Sequence, residues 1–232
     1  MHKFRDRREA GRALANALMH LANREEVIVL GLPRGGVPVA CEVALALAAP
    51  LDVFVVRKLG VPGYRELAMG AIATGGVLVV GDVARDMGIP DETIQEVMRL
   101  ETAELHRREA SYRGSGPPAD VAGRTVILVD DGIATGSTMR AAIQALRALG
   151  AACVVVAVPL APADTCKELR AEADELICVR MPEPFVAVGM WYDDFSPTSD
   201  EEVRTLLDQA AGRAPGRRVN PSVSPAPKSI PS

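Results

Sequence analysis

The chain has 232 residues, of which 48% are hydrophobic and 24% are charged. A chain of this length and composition can bury a core without disulfide bonds, which excludes wholesale disorder and fibrous architectures. The longest nearly uncharged apolar run, residues 151–163, is shorter than the roughly 20 residues that a membrane-spanning helix needs. Because the first residues lack the apolar segment of a signal peptide, we expect a cytoplasmic protein without a membrane partner.

Charge is unevenly distributed along the chain. Residues 211–232 are rich in Pro and Ser and carry four basic residues and no acid, which predicts a disordered basic tail. Because the whole chain has a net charge of −4 and the tail contributes +4, residues 1–210 carry −8. A body this acidic argues against a nucleic acid partner.

The spacing of the cysteines indicates a structural role. Cys41, Cys153, Cys166 and Cys178 form no C-x-x-C motif, and the chain has three histidines to complement them. We interpret the four cysteines as small buried side chains in a reducing compartment and expect no zinc site.

Hydrophobic periodicity predicts alternating helices and strands in chain order. A helix at 7–20 precedes a βαβ unit made of a buried strand at 27–32, a helix at 37–49 and a strand at 51–56. This alternation predicts an α/β fold with a doubly wound, mainly parallel sheet flanked by helices. The remaining predicted elements are strands at 68–73 and 77–80 around a glycine turn, a helix from Pro90 to about Tyr112, a strand at 125–129, a helix at 137–149, a strand at 153–158, a helix at 163–173 and a strand at 176–179.

The strand at 125–129 leads into a segment rich in acids, glycines and hydroxyls. Asp130 and Asp131 follow the strand directly, where α/β sheets place ligands, and we expect both carboxylates to point into a crevice. Residues 132–138 open the next helix, whose amides and dipole favour a phosphate monoester. Since acids repel phosphate, the two carboxylates need another partner, either vicinal ribose hydroxyls or Mg²⁺. The segment lacks the lysine of a Walker A loop, and no G-x-G-x-x-G occurs in the chain.

Two acids followed by G-x-x-T-G-x-T, behind four apolar residues, resemble the phosphoribosyl pyrophosphate (PRPP) loop of type I phosphoribosyltransferases. The alternative is a strand–turn–helix with incidental glycines. The resemblance covers roughly residues 25–195 and implies the fold of that family. It also implies that Asp130 and Asp131 bind the ribose 2′- and 3′-hydroxyls. The residues assigned to the 5′-phosphate are Gly132, Ile133, Ala134, Thr135, Gly136, Ser137 and Thr138.

Two further segments resemble the pyrophosphate site of the family. Arg34-Gly35-Gly36 follows the first strand, where two glycines let the backbone approach an anion and Arg34 offers a fork of donors. Arg57-Lys58, at the end of the next strand, is similar to a basic pair that several members direct at pyrophosphate. Two solvated charges that close a strand are the alternative interpretation.

The chain departs from the family at its mobile catalytic flap. Residues 60–120 hold an inserted strand pair and a long helix in place of a short loop, so no flap residue can be transferred from the family. The candidates for that role are Glu66, Arg107, Arg108 and Tyr112, although charges on a helix surface usually only keep it soluble.

Residues 180–198, here called the hood, are unusually aromatic. The order of aromatic, apolar, glycine and aromatic–acid residues resembles the hood of purine-type enzymes. On that resemblance Phe185 or Trp191 stacks on a planar acceptor, and Asp193 approaches the acceptor edge or Mg²⁺. An aromatic cluster that seals the core is the alternative. No lysine follows the strand at 153–158 until Lys167, so hypoxanthine, guanine and xanthine are not expected as acceptors.

The resemblance implies a Mg²⁺-dependent transferase that moves ribose 5-phosphate from PRPP to an acceptor nitrogen and releases pyrophosphate, with a role in nucleotide metabolism. The Mg²⁺ would be carried mainly by PRPP with help from Asp193, and a homodimer is compatible with this assignment. One alternative is a PRPP-sensing regulator of the same fold that performs no transfer. A hydrolase of a phosphorylated sugar is less favoured, because no nucleophile–base pair is visible.

Overall fold

The computed structural model describes residues 2–81, 83–114 and 116–212, so residues 213–232 of the predicted basic tail lie outside the described ranges. Short 3₁₀ helices occupy Met19–Leu21 and Val188–Trp191. The strands are β1 (Val27–Gly31), β2 (Leu51–Val53), β3 (Val56–Val61), β4 (Tyr64–Ala73), β5 (Val77–Val80), β6 (Thr125–Val129), β7 (Cys153–Leu160) and β8 (Glu175–Arg180). The α-helices are α1 (Arg7–Ala17), α2 (Gly36–Leu47), α3 (Val83–Asp86), α4 (Asp91–Arg113), α5 (Ser137–Ala148), α6 (Ala163–Leu169) and α7 (Asp200–Ala211).

Five strands form a parallel sheet in the order β2-β1-β6-β7-β8. Strand β1 pairs with β6 from Val27 opposite Thr125 to Gly31 opposite Val129. The chain moves outward from β1 to β2 and then returns to the other side of β1 with β6, so the strand order reverses between β1 and β6. Ligands of open α/β sheets bind at the carboxyl ends of the strands that flank such a reversal.

Helices cover both faces of this sheet, which confirms the doubly wound arrangement. On one face α1 and α2 pack against β1, β6 and β7 through side chains such as Leu14 and Val43. On the other face α5 packs through Ile143 and Leu146. All five residues of β1 are buried, as is typical of a parallel strand that is covered on both sides.

The predicted second strand at 51–56 is wrong in its extent, because the chain changes sheets at Phe54. The Phe54 N–H still donates to the Gly31 carbonyl at 3.0 Å, whereas the Val55 N–H donates to Thr74 Oγ1 at 2.9 Å. Strand β3 therefore begins an antiparallel sheet, β3-β4-β5, whose β4–β5 hairpin lies where the sequence predicts a strand pair. Arg57 and Lys58 lie inside β3 and do not close a parallel strand.

Helices α4 and α7 pack against each other on the side of the second sheet. Helix α7 was not predicted; it begins at the N-cap Ser199, whose hydroxyl accepts a bond from the Glu202 N–H, and it buries Val203 and Leu206. The predicted long helix from Pro90 is confirmed as α4. Helix α6 is shorter than predicted, ending at Leu169.

A buried ion pair joins the end of α4 to the edge strand β2. The Nε of Arg113 lies 2.7 Å from Asp52 Oδ1, and the two side chains are only 8% and 13% exposed. The Ala119 N–H donates to the other carboxylate oxygen at 2.9 Å, so Asp52 also fixes the connection that leads to β6. No helix in the described ranges has the length and apolar character required to cross a bilayer.

Candidate functional site

The turns after β1 and β6 lie against each other at the point where the strand order reverses. A Cβ atom on Gly36 would lie 2.7 Å from the Val129 carbonyl oxygen and 2.9 Å from the Asp130 Cα. The Leu32 N–H donates to the same Val129 carbonyl at 2.9 Å. The structure therefore brings together two segments that the sequence assigned to one site, residues 34–36 (the pyrophosphate loop) and residues 132–138 (the phosphate loop).

The phosphate loop borders a cleft of about 230 Å³. Gly136 has φ +77°, a left-handed conformation that favours glycine, and it places Ser137 at the first turn of α5. The amides at this helix start and the hydroxyls of Thr135 and Ser137, 3.4 Å apart, offer donors to an anion. The cleft is lined by Asp130, Gly132, Ile133, Ala134, Thr135, Gly136, Ser137, Thr138, Met139 and Val188.

Contacts from β7, α5 and α6 hold the backbone of the phosphate loop. Arg140, which makes one of these contacts, is itself held by an ion pair with Glu172 at 2.9 Å and another with Glu168. The backbone of the phosphate loop is therefore fixed by contacts from the elements that pack against it. The hydrogen bonds run from the Ile133 N–H to the Leu160 carbonyl (3.0 Å), from Thr165 Oγ1 to the Ala134 carbonyl (2.9 Å) and from Arg140 Nη1 to the Thr135 carbonyl (3.0 Å).

Asp130 lines the cleft as predicted. Its Oδ1 accepts a hydrogen bond from the Asp131 N–H at 2.8 Å. Burial raises the pKa of Asp130 well above its usual range, and the neighbouring Asp131 carboxylate raises it further. The site thus holds a carboxyl group whose charge is costly until a ligand compensates it.

Asp131 faces a different environment, because its Oδ2 takes part in an ion pair that the sequence does not predict. The Arg7 Nε lies 2.8 Å from Asp131 Oδ2, and the two side chains are 11% and 14% exposed. Burial raises the pKa of Asp131, while the hydrogen bond and charge of Arg7 oppose that rise. Arg7 also donates to the Ser196 carbonyl at 2.8 Å and lies 4.0 Å from the Phe195 ring centroid.

Arg34 of the pyrophosphate loop is half exposed. Its Nη1 lies 3.7 Å from Asp200 Oδ1, at the start of α7. The Tyr112 hydroxyl donates to the same oxygen at 3.4 Å. Tyr112, one of the flap candidates, is thus linked to the pyrophosphate loop through Asp200.

The other basic candidates are engaged on β3 and α4. Arg57 and Lys58 point to opposite sides of β3, since side chains alternate along a strand. Arg57 pairs with Glu101 of α4 at 2.6 Å, and Lys58 is exposed. A role of this pair at pyrophosphate stays a prediction, and at most one of the two can face a given ligand.

Arg107 and Arg108 share one partner on their own helix. Their Nε atoms lie 2.6 and 2.8 Å from the Glu104 carboxylate, which lowers the pKa of Glu104 to about 2. This is the behaviour of helix-surface charges. Glu66 lies in β4, and its side chain falls outside the described part of the structure.

The hood contacts the site through Val188 and Tyr192. A Cβ atom on Gly132 would lie 2.6 Å from Val188 Cγ1, so the hood rests on the phosphate loop. The buried Tyr192 hydroxyl donates to the Asp131 carbonyl at 2.5 Å, and burial raises the pKa of Tyr192. Phe185 and Trp191 are half-buried and pack against the cluster that contains Phe4 and Tyr192, as the aromatic-cluster interpretation expects. Their stacking on an acceptor stays a prediction.

The segment before α1 completes the hood. The Phe4 N–H donates to the Trp191 carbonyl at 2.9 Å, and the Asp193 N–H donates to the Phe4 carbonyl at 2.8 Å. Asp193 itself is exposed. Residues before the first helix are therefore part of the wall that surrounds the acid pair.

Sequence reasoning missed Arg7 and Tyr192. Tyr192 belongs to the aromatic stretch that the sequence singles out, so its position near the site could have been predicted from that stretch. Arg7 stands next to Arg8 in a basic, amphipathic helix, and no sequence signal distinguishes the two. The contact of Arg7 with Asp131 joins residues 124 positions apart.

The donors at the site are hard oxygen ligands. No group of three or more His, Cys, Asp or Glu side chains in the described ranges is arranged to hold a metal ion. Mg²⁺ usually binds through one or two carboxylates together with phosphate and water oxygens. The acid pair and a phosphate-bearing ligand would together fit that chemistry.

Comparison with known proteins agrees with this geometry. A family model described as "Phosphoribosyl transferase domain" matches residues 63–193. The solved structure of TT1426 from Thermus thermophilus is 44% identical, with a TM-score of 0.79, and the match covers 90% of this chain and 99% of that one. The chain therefore belongs to the phosphoribosyl transferase domain family, as its resemblance to the PRPP loop implies.

Two curated relatives give further detail. A Mycobacterium tuberculosis (strain ATCC 25618 / H37Rv) protein named "Putative phosphoribosyl transferase" is 49% identical over 211 residues, which are 90% of this chain and 47% of that protein. "Bifunctional protein PyrR" of Chloroflexus aurantiacus is 34% identical over 95 residues, 38% of this chain and 52% of its own length. The chain thus spans about half the length of the curated relatives it matches.

Proposed function

We propose that this chain transfers ribose 5-phosphate from PRPP to a nitrogen of a planar, nucleobase-like acceptor and releases pyrophosphate. One observation carries the proposal, the direct contact between Gly36 of the pyrophosphate loop and the end of β6. This contact sets the fork of Arg34 and the carboxylate of Asp130 at neighbouring strand ends. A sugar that carries a phosphate at one end and a diphosphate at the other could present the phosphate to residues 132–138 and the diphosphate to Arg34.

The proposed roles follow from the chemistry of the residues. Residues 132–138 hold the 5′-phosphate through amides and hydroxyls, and Asp130 and Asp131 accept hydrogen bonds from the ribose hydroxyls. Arg34 and the Gly35 amide hold the diphosphate, whereas the Gly36 N–H already donates to the Leu32 carbonyl at 3.0 Å. Displacement at the anomeric carbon passes through an oxocarbenium-like state, so orientation and charge stabilisation supply most of the catalysis.

The proposal includes Mg²⁺ that arrives with PRPP. When bound, the ion would offset negative charge on the departing pyrophosphate. Asp193 remains the residue proposed to help bind Mg²⁺, because it is exposed and follows Tyr192, which is hydrogen-bonded to Asp131.

A second candidate is a PRPP-binding regulator that does not transfer the sugar. The ion pair of Arg57 with Glu101 favours it, since one of the cations expected at pyrophosphate is already neutralised. Such a protein would need the phosphate loop and Asp130 but not a complete pyrophosphate site.

One experiment separates the two candidates. Pyrophosphate release is measured with PRPP and Mg²⁺ across a panel of purines, pyrimidines and amines, beside calorimetric PRPP binding. Release that depends on one acceptor and is lost in Asp130→Asn supports the transferase. Tight PRPP binding without release across the panel supports the regulator, and absence of PRPP binding overturns both.

A further inference from the structure

Arg7 lies where four parts of the site meet. It belongs to α1, pairs with Asp131 at 2.8 Å, donates to Ser196 and covers the ring of Phe195. Helix α1, the acid pair and the hood are three of these parts, and the pyrophosphate loop is the fourth. A Cβ atom on Gly35 would lie 2.0 Å from Asp131 Oδ2 and 3.3 Å from the Arg7 Nε.

This arrangement leaves the Asp131 carboxylate little freedom. On one side the Gly35 backbone leaves no space for even a methyl group, and on the other the planar Arg7 guanidinium is held by a carbonyl and an aromatic ring. Both partners are almost buried, so solvent screens the pair weakly. Loss of Arg7 would leave a buried carboxylate without its cation.

We infer that Arg7 is a positioning residue for ribose recognition, acting by holding the Asp131 carboxylate in one orientation beside the pyrophosphate loop. The inference rests on the proposed function, in which the acid pair meets the ribose hydroxyls. Arg7 does not itself touch the ligand in this scheme. Its effect on ribose recognition passes through Asp131.

The support of the phosphate loop is separate from Arg7. Its backbone is held by Leu160, Thr165 and Arg140, which lie on β7, α6 and α5. Removal of Arg7 should therefore weaken recognition of the sugar hydroxyls and leave recognition of phosphate intact. A merely structural role for Arg7 would weaken both.

The chain offers a matched control in the next residue. Arg8 lies on the same helix, is half exposed and pairs with Glu42 at the longer distance of 3.5 Å. Arg8→Met removes the same charge from α1 without reaching the acid pair.

The test is calorimetric titration of the full chain with ribose 5-phosphate and, separately, with inorganic phosphate. Arg7→Met is expected to weaken ribose 5-phosphate about tenfold, the scale of one charged hydrogen bond, and to leave phosphate within about twofold. Arg8→Met should bind both ligands like the wild type. Equal losses for both ligands, or unchanged ribose 5-phosphate affinity, in Arg7→Met would overturn the inference.

Arg7→Lys keeps the charge but lacks Nε, and it decides the matter if Arg7→Met fails to fold. A weaker affinity of Arg7→Lys for ribose 5-phosphate alone supports the inference, while equal changes for both ligands, or none, overturn it. A wild-type chain that binds neither ligand overturns the proposed function and this inference with it. A wild-type chain that binds both, with an Arg7→Met that binds both equally well, overturns the inference only.

Discussion

Val188 of the hood lies directly over Gly132, where a Cβ atom would come within 2.6 Å of Val188 Cγ1 and 3.1 Å of Leu160 Cδ1. The hood is thus seated on the phosphate loop through a position that has room only for hydrogen. Any side chain at 132 must displace the Val188 side chain or shift the loop.

We expect Gly132→Ala to lower the free energy of unfolding by about 1–3 kcal/mol, the usual cost of overpacking, and to weaken PRPP binding. Adding Val188→Ala should restore part of both losses because it removes Cγ1, while Leu160 still limits the recovery. Urea denaturation and calorimetry measure the two effects. Gly60→Ala is the control, since a Cβ there meets nothing within 4 Å. A double variant no better than Gly132→Ala would contradict the seating of the hood.

Asp130→Asn should stabilise the ligand-free chain while it loses PRPP binding. A carboxyl whose pKa is higher in the folded than in the unfolded chain binds its proton more readily when folded, so stability rises as pH falls through the folded pKa. Above that pH the buried charge costs stability. Asparagine removes this cost, and its Oδ1 can still accept a hydrogen bond from the Asp131 N–H.

Thermal unfolding at pH 7 and at pH 4 tests this sign, because the gain should shrink at the lower pH. A less stable Asp130→Asn at pH 7 would show that the carboxylate charge is compensated within the folded chain. The double variant Asp130→Asn with Asp131→Asn should abolish PRPP binding, and a wild-type PRPP affinity there would remove the acid pair from the site.

Arg34→Ala should weaken pyrophosphate and PRPP by about tenfold or more and leave ribose 5-phosphate nearly unchanged, since only the first two ligands present a diphosphate. Competition or calorimetry with the three ligands measures the pattern. Arg99→Ala, which removes an exposed arginine of α4 paired with Glu96 on the same helix, is the control. Equal losses for all three ligands would give Arg34 a structural role.

Trp191 is the single tryptophan of the chain, so its fluorescence reports on the hood without labelling. We expect a planar acceptor to quench it only when PRPP or pyrophosphate is already bound, with a stacking contribution of about 1–3 kcal/mol. Ribose 5-phosphate alone serves as the control without a base. Efficient turnover of hypoxanthine or guanine, undiminished by Phe185→Ala and Trp191→Ala, would contradict the stacking role. It would also show that 6-oxopurines are accepted, against the prediction.

Asp52→Ala should lower the free energy of unfolding by about 1.5–3 kcal/mol, because it removes the closer of two carboxylate partners of the buried Arg113, which keeps Glu109 at 3.3 Å, and releases the Ala119 N–H. Asp208→Ala, at an exposed position of α7, should change it by less than about 0.5 kcal/mol. Chemical denaturation compares the two variants, and similar small losses in both would mean that Asp52 does not anchor the edge strand.

Local pattern was sufficient for the parallel sheet and the phosphate loop. Residues 27–31 and 126–129 are continuous apolar runs because both faces of their sheet are covered, and the glycines and hydroxyls of 132–138 follow directly along the chain. These features depend on neighbours in sequence, so the sequence displays them.

The features that sequence reasoning missed depend on distant partners. The chain leaves the first sheet after Val53 because the Thr74 hydroxyl, nineteen positions beyond Val55, takes up the Val55 N–H. Arg7 and Arg8 look alike until the fold brings one of them to Asp131. The acid pair was therefore predicted, but the different surroundings of its two aspartates were not.

The pairing of Val27 with Thr125 spans roughly a hundred positions, and it has a consequence for the order of folding. Closing so long a loop costs chain entropy before any contact rewards it, so this central pairing is slow to form. Strand β6 carries the acid pair and the phosphate loop at its end. A partly folded chain in which β1 and β6 have not paired lacks the contact between Gly36 and the end of β6, so a ligand that needs both turns can stabilise the chain only after these strands have joined.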